Sequence, residues 1–455
     1  MRLIGTACIT ALIAGAALAG QAQRVPAPVS DRPVPAPARV SSGATLPATQ
    51  ALFDSYIRDR KMPGIVGAFG MGASPTLFPS AGRIGDGADA AAAGPDTLWR
   101  VYSMTKPITG MAAMMLIEDG KLGLDQPIGD FFPQFKSMRV MTNPATSLDS
   151  RPATRAITVR HLLTHTAGLG YSILGKGPLP KEYERRGLVA FSSDARTEPL
   201  IRPTRPASLQ AFAERAAELP LLAEPGTAWN YSIGLDILGA VIERASGMSF
   251  DRFVQTRLFD PLKMRSSFWQ VLPGAADRLA DNYAWVGSNR VPIDPARNSV
   301  FLLPAPIPFG GAGLVMSARD YDRFLHMLAN GGTLDGARVM KAETVRLGMS
   351  NLLPAGVRFG GVGGERPSTA TPMGFGAGGS VFLADAPGGF PGKGTYGWSG
   401  AAGTIGFVDP SRGFRATVMV NYFPAEKWPL RREVGAALMA DAVRLHGGIP
   451  SAPRR

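Results

Sequence analysis

The sequence predicts a mixed α/β (α+β) fold: an antiparallel sheet with flanking helices, packed against a mainly helical middle region. Three observations predict it. Short apolar runs bounded by glycine, with the character of strands, occur near the N-terminal end (65–71 and 98–101) and again in the last third of the chain. Between them, over residues 121–308, the pattern changes to helical segments and Pro-rich loops. Helical patterns at 48–60 and 433–446 flank the strands at either end. Strands at both ends with helices inserted between them imply one composite domain, residues 48–455, with its sheet drawn from about 48–120 and 309–455.

Taken in order, residues 1–19 read as an export signal. Arg2 supplies the charge, the stretch to Leu18 is mostly apolar, and Ala17-Leu18-Ala19 offers small residues for cleavage. An exported protein, periplasmic or secreted, is the expectation, with no membrane span left after cleavage. Residues 20–47 contain Pro26, Pro28, Pro33, Pro35 and Pro37 and read as an extended linker. Met62-Pro63-Gly64 then breaks the first helix ahead of the strand at 65–71. A helical pattern follows Ser103 through Met111, Met114, Met115 and Leu116 and stops near Asp119-Gly120. Residues 208–218, 233–245 and 250–258 are the clearest helices of the middle region. A strand at 313–316, a helix at 318–330 and strand-like runs at 374–383, 394–398, 403–408 and 415–421 complete the pattern.

Composition excludes several chemistries. The one cysteine, Cys8, lies inside the presumed signal, so a processed chain has no disulfide, thiolate metal site or cysteine nucleophile. The net charge of +13 comes mainly from arginines standing singly or in pairs, such as Arg185-Arg186 and Arg431-Arg432. No block of like charges and no aromatic-interleaved basic motif accompanies them, which indicates a solvated basic surface and no nucleic-acid partner. His161 and His165 are four residues apart, but Leu162 stands where a zinc protease needs glutamate, so no metal site is expected. Gly397-Trp398-Ser399-Gly400-Ala401 fails the Gly-x-Ser-x-Gly elbow at its last position.

One constellation carries chemistry. Ser103-Met104-Thr105-Lys106 is the only place where lysine follows serine by three positions. On a helix those side chains share a face, and the helix start directs free N–H groups towards the serine oxygen. Acyl transfer by serine needs such a hydroxyl beside a base, with donors for the oxyanion. By itself the motif is also compatible with a capping serine and a solvated lysine.

Around it, several ordered segments are similar to the β-lactamase-related serine hydrolases. Residues 98–135, "LWRVYSMTKPITGMAAMMLIEDGKLGLDQPIGDFFPQF", resemble the nucleophile region of that superfamily. "ITVRHLLTHTAGL" (157–169), "PGTAWNYS" (225–232), "FDPLKMRSSF" (259–268) and "GAGLVMSARDYDRFLHML" (311–328) extend the resemblance over most of the chain. It implies a β-lactamase/transpeptidase-like fold, no cofactor and a small-molecule substrate. It also implies that Ser103 is the nucleophile, that Lys106 accepts or shares its proton, and that Tyr231 serves as base and protonates the leaving group. Lysine and tyrosine both titrate near ~10 in water, and holding them together in a dry pocket lets each lower the other's cost of losing a proton.

The departures from the superfamily pattern bear on substrate. Ile233 stands where penicillin-interactive enzymes have asparagine two residues after the tyrosine. Trp398-Ser399-Gly400 stands where they have Lys-Thr-Gly, so the cation that receives a β-lactam carboxylate is replaced by an apolar wall. Trp-x-Gly there resembles the family VIII carboxylesterases, which implies ester hydrolysis, with Trp398, Ser399, Gly400 and Ile233 at the substrate and the N–H groups of Ser103 and Ala401 as oxyanion hole. The alternatives are a β-lactamase or D-alanyl carboxypeptidase/D-aminopeptidase-like enzyme, and a non-catalytic envelope-binding relative.

Overall fold

The computed structural model describes residues 45–192, 194–362 and 371–446. The presumed signal, and the predicted linker up to residue 44, lie outside the described residues. The helices that bear on the site are, in chain order, α1 (Pro47–Arg58), α2 (Thr105–Glu118), α3 (Val159–Leu163), α4 (Leu209–Ala217), α5 (Gly234–Ser246), α6 (Phe250–Val254), α7 (Ala318–Ala329) and α8 (Leu430–His446). The strands of the main sheet are β1 (Gly64–Met71), β2 (Ser80–Gly82), β3 (Met373–Phe375), β4 (Ser380–Phe382), β5 (Tyr396–Ser399), β6 (Ile405–Asp409) and β7 (Phe414–Met419). They pair antiparallel in the order β3-β4-β5-β6-β7-β1-β2, so the two N-terminal strands join the five C-terminal ones through the β1–β7 pairing, and one sheet draws on both chain ends as the sequence pattern predicts.

β1 reads as a continuous apolar run because both of its faces are covered. Ile65 and Phe69 point to one side, where Phe53 and Tyr56 of α1 and Leu430, Val434 and Leu438 of α8 close over them. Val66 and Ala68 point to the other, towards Met104, Ile108 and the α7 residues Tyr321 and Phe324. α1 has no side-chain cap of its own. The buried Asp441 carboxylate of α8 supplies one, accepting from the N–H groups of Ala48 (2.9 Å) and Thr49 (2.9 Å) and from Thr49 Oγ1 (2.7 Å). The two chain ends are thereby locked together.

α2 is buried around its whole circumference, every residue from Thr105 to Leu116 included, and is mostly apolar beyond its first turn. It passes so close beneath the turn before β4 that a Cβ on Gly110 would lie 2.1 Å from the Ala377 carbonyl oxygen. That same oxygen accepts from Tyr396 Oη at 2.6 Å, so it cannot retreat freely. Gly110→Ala is therefore expected to cost about 1–3 kcal/mol of stability, read as a lower denaturation midpoint at unchanged slope.

The mainly helical middle region also carries short strands: Ser267–Phe268 pairs with Val315–Ser317, and Asn282–Val286 forms a ribbon with Asn289–Asp294. Two sequence expectations need correction. The run at 374–383 is a hairpin, β3 and β4, because Gly378 adopts a φ of 75° at its turn. Helix 250–258 changes after Val254 into a π-turn, Gln255–Phe259.

Candidate active site

The strand Leu98–Arg100 runs into a single 3-10 turn, Tyr102–Met104, which opens into α2. Arg100 anchors this entry. Its side chain is fully buried, donates through Nε to Asp294 Oδ2 at 2.7 Å and through Nη2 to Ser299 Oγ at 3.0 Å, and also reaches the Ala280 carbonyl. Tyr102 follows with a φ of 41°, a left-handed conformation that is costly for a bulky residue. It is held there by Asn282 Nδ2, which donates to Tyr102 Oη at 2.9 Å, and by edge-on contacts with Phe301 and Phe423. The bend aims Ser103 out of the core into a partly exposed position.

Two titratable side chains meet the Ser103 hydroxyl. Tyr231 Oη donates to Ser103 Oγ at 2.7 Å, and Lys106 Nζ donates to it at 3.3 Å. Lys106 also donates to the Gly311 carbonyl at 2.8 Å and lies 4.5 Å from the centre of the Tyr231 ring. The amine is wholly buried, whereas Tyr231 stays 9% exposed, so the phenol forms the boundary between the amine and the cleft. Tyr231 sits on the irregular segment ahead of α5, stacked against Trp229. Trp398 Nε1 donates to Tyr231 Oη at 3.3 Å. The three sequence-predicted groups, remote in the chain, therefore converge on one oxygen.

The remaining predicted positions divide. Trp398 is half-buried and forms a wall with Phe359 and Phe375, its ring 5.2 Å from the latter. Its strand, β5, is interior to the sheet, since β4 pairs with it. That pairing ends at Gly397, however, so Trp398 and Ser399 face the cleft with only β6 beside them. Ser399 Oγ accepts from the Arg431 guanidinium of α8. Gly400 fits a tight corner: a Cβ there would lie 2.4 Å from the Val101 carbonyl oxygen and 2.1 Å from Thr404 Oγ1. This close approach brings the exposed Ala401 turn beside the segment carrying Ser103.

Ile233 is a correction. It is fully buried in the core and its N–H donates to the Gly170 carbonyl, so it cannot line the cleft. Its apolar side chain answers to the packing of α5 and not to a substrate.

Three buried polar groups lie beside the site, of which sequence reasoning weighed His165 only as a metal ligand and passed over Tyr171 and Asp236. His165 takes a φ of 57° just after α3, so it does not share a helix face with His161 as a metal pair requires. Its Nδ1 accepts from the Ser232 N–H at 3.2 Å, and burial, with Lys106 nearby, holds the imidazole well below its usual value, hence neutral. Tyr171 is buried, 5.7 Å ring to ring from Tyr231, with its phenol pushed well up by burial and then by Asp236 and Tyr231. Asp236, in the first turn of α5, is fully buried. A charged residue in an otherwise apolar helix face was the available signal for it. No group of three or more potential metal ligands occurs among the described residues.

Comparison with known proteins places the chain in a family. Residues 49–439 match the family model described as Beta-lactamase. Esterase EstB of Burkholderia gladioli is 31% identical over 389 residues, covering 82% of this chain and 89% of that protein. Lovastatin esterase of Penicillium rubens is 29% identical over 340 residues, covering 69% and 77%. Among solved structures, EstCE1, described as a hydrolase with promiscuous acyltransferase activity, superposes with a TM-score of 0.69 at 24% identity, over 86% of this chain and 97% of that one. A β-lactamase/transpeptidase-like fold, esterase relatives and a serine set into the cleft agree: this chain is a serine hydrolase that belongs to the β-lactamase family, on its esterase-like side.

Proposed function

We propose that the protein hydrolyses carboxylic esters through an acyl-enzyme on Ser103. The observation that carries this reading is the contact of one hydroxyl with both Tyr231 Oη (2.7 Å) and Lys106 Nζ (3.3 Å). As Ser103 Oγ bonds to the ester carbonyl carbon, its proton passes to the Tyr231–Lys106 pair and leaves Lys106 as an ammonium. Collapse of the tetrahedral adduct breaks the bond to the alcohol oxygen, which takes a proton through Tyr231. Water then attacks the acyl-enzyme by the reverse route and releases the acid. The N–H groups of Ser103 and Ala401 would receive the developing oxyanion, a reading supported by the close approach of Gly400 to the Val101 carbonyl two residues before Ser103.

An ester is favoured over a β-lactam because Trp398 brings a ring where a carboxylate would need a cation, and its Nε1 is already engaged with Tyr231. The residues at 1–19 are read as directing export, so the substrate would be met outside the cytoplasm. Initial rates on a short-chain nitrophenyl ester, a chromogenic cephalosporin and a D-alanyl peptide test the substrate class. Turnover of the ester at least a hundredfold above the other two is expected; a preference for the cephalosporin or the peptide would overturn it.

A further inference from the structure

Asp236 is a buried carboxyl beside the site that the ester mechanism above leaves unused. Its Oδ1 accepts from the Gly311 N–H at 2.8 Å, and its Oδ2, sealed from solvent, has no hydrogen-bond partner. The opposite face of the next peptide is the anchor for the base, since Lys106 Nζ donates to the Gly311 carbonyl at 2.8 Å. Thr109 Oγ1 fixes the preceding carbonyl, that of Gly310, at 2.6 Å, and the Leu314 N–H donates to Thr105 Oγ1 at 3.1 Å. The 310–314 segment is therefore pinned along α2 from one side and held by Asp236 from the other. A Cβ at Gly311 would fall 2.7 Å from Asp236 Oδ2, so this glycine lets the backbone lie directly against the carboxylate.

A carboxylate buried without a full set of donors is costly, and an apolar residue of like volume would fill α5 without that cost. What justifies it is the charge opposite. The ionisable groups facing it are Lys106 from α2 and the Tyr171 phenol, while α3, α4 and α6 press apolar side chains such as Leu162, Phe212 and Phe250 against the helix. We propose that Asp236 is a positioning residue for the Ser103 chemistry: it fixes the Gly311 peptide that holds the Lys106 amine, and its carboxylate is the counter-charge to the ammonium formed when Lys106 takes the serine proton. The inference rests on the Ser103–Lys106–Tyr231 reading. No proton is transferred to Asp236 in the step; the proton leaves Ser103 Oγ, ends on Lys106 Nζ and returns to the departing alcohol.

The role has a signature in pH. Burial pushes the Asp236 carboxyl up to about 7, against the pull of Lys106 and of the Gly311 N–H. Below that value the group is neutral and offers Lys106 no counter-charge; above it the carboxylate is present. The rate of Ser103 acylation should accordingly rise with pH, by about tenfold from pH 6 to pH 8 for one ionisation centred near 7.

The test is the rate of Ser103 labelling by a fluorophosphonate, followed from pH 5.5 to 8.5 in the full-length protein and in Asp236→Asn. The amide oxygen of the variant can still accept from Gly311, so the peptide keeps its place while the charge is lost. Expected are an acid limb near pH 7 in the wild type, its disappearance in Asp236→Asn, and labelling of the variant at pH 8 at least tenfold slower. An unchanged limb in a folded Asp236→Asn, or a loss of rate equal at every pH, would overturn the inference. Should the variant fail to fold, a flat wild-type profile across this range overturns it, and a limb centred near 7 upholds it. Wild-type protein that is not labelled on Ser103 at any pH would instead contradict the nucleophile itself, a separate failure.

Discussion

Tyr231→Phe is expected to lower kcat for ester hydrolysis by about 10²–10⁴-fold, the range spanned by a positioned proton-transfer group, with little change in the denaturation midpoint. The ring would remain stacked on Trp229 and beside Trp398, so packing survives the change. What is lost is one oxygen, the atom that touches Ser103 Oγ at 2.7 Å and also takes the Trp398 Nε1–H at 3.3 Å. Lys106 remains at 3.3 Å from the serine, but it is wholly buried behind the phenol and has no direct path to a leaving alcohol in the cleft. The loss should therefore fall on kcat more than on KM. Ser103→Ala should remove turnover altogether. A double variant, Ser103→Ala with Tyr231→Phe, should be no worse than Ser103→Ala alone, since groups that act as a unit are not additive. Steady-state kinetics with one activated ester, alongside urea denaturation, checks both statements. A kcat within threefold of wild type for Tyr231→Phe would contradict them.

Asp294→Ala is expected to destabilise the protein by about 3–5 kcal/mol, the cost of leaving a buried charge without its partner. Both members of the Arg100–Asp294 pair are 0% exposed. Asp294 also accepts from Ser299 Oγ at 2.6 Å and from the Val300 N–H at 3.0 Å, so its removal unties a loop as well as an arginine. The effect should reach the site, because Arg100 lies at the end of the strand that delivers Tyr102 and Ser103. Loss of the pair relaxes the segment that forces Tyr102 to a φ of 41°. Replacing both residues with apolar ones of similar volume should be far milder than Asp294→Ala. Equilibrium denaturation of the single and paired variants would decide; a midpoint for Asp294→Ala close to wild type would show that the pair carries no such burden.

The sequence made the sheet legible because β1 and β7 are apolar runs bounded by glycine or turns, and it made α2 legible through its capless but continuous apolar pattern. Short strands were less so. Ser267–Phe268 has two residues and no periodicity to detect, and it exists only because Val315–Ser317 lies beside it. Ser103, Lys106 and Tyr231 were legible from segments that resemble a known superfamily, not from spacing alone, since Ser-x-x-Lys is too short to be specific. Ile233 misled because a position close to Tyr231 in sequence need not face the same way: two residues on, its side chain turns into the core. Asp236 and Tyr171 were missed, and His165 was weighed only as a metal ligand, because their significance is spatial. A buried aspartate on a helix carries no local sign that its opposite charge sits on another helix, 130 residues earlier in the chain.

The most direct test is rapid quenching of the protein with a slowly deacylating ester, followed by proteolysis and mass analysis. A covalent acyl group of the ester's mass is expected on the peptide containing Ser103, at that side chain, and absent from Ser103→Ala. Steady turnover with no acylated peptide, or with the acyl group on a different residue, would contradict the mechanism at its first step.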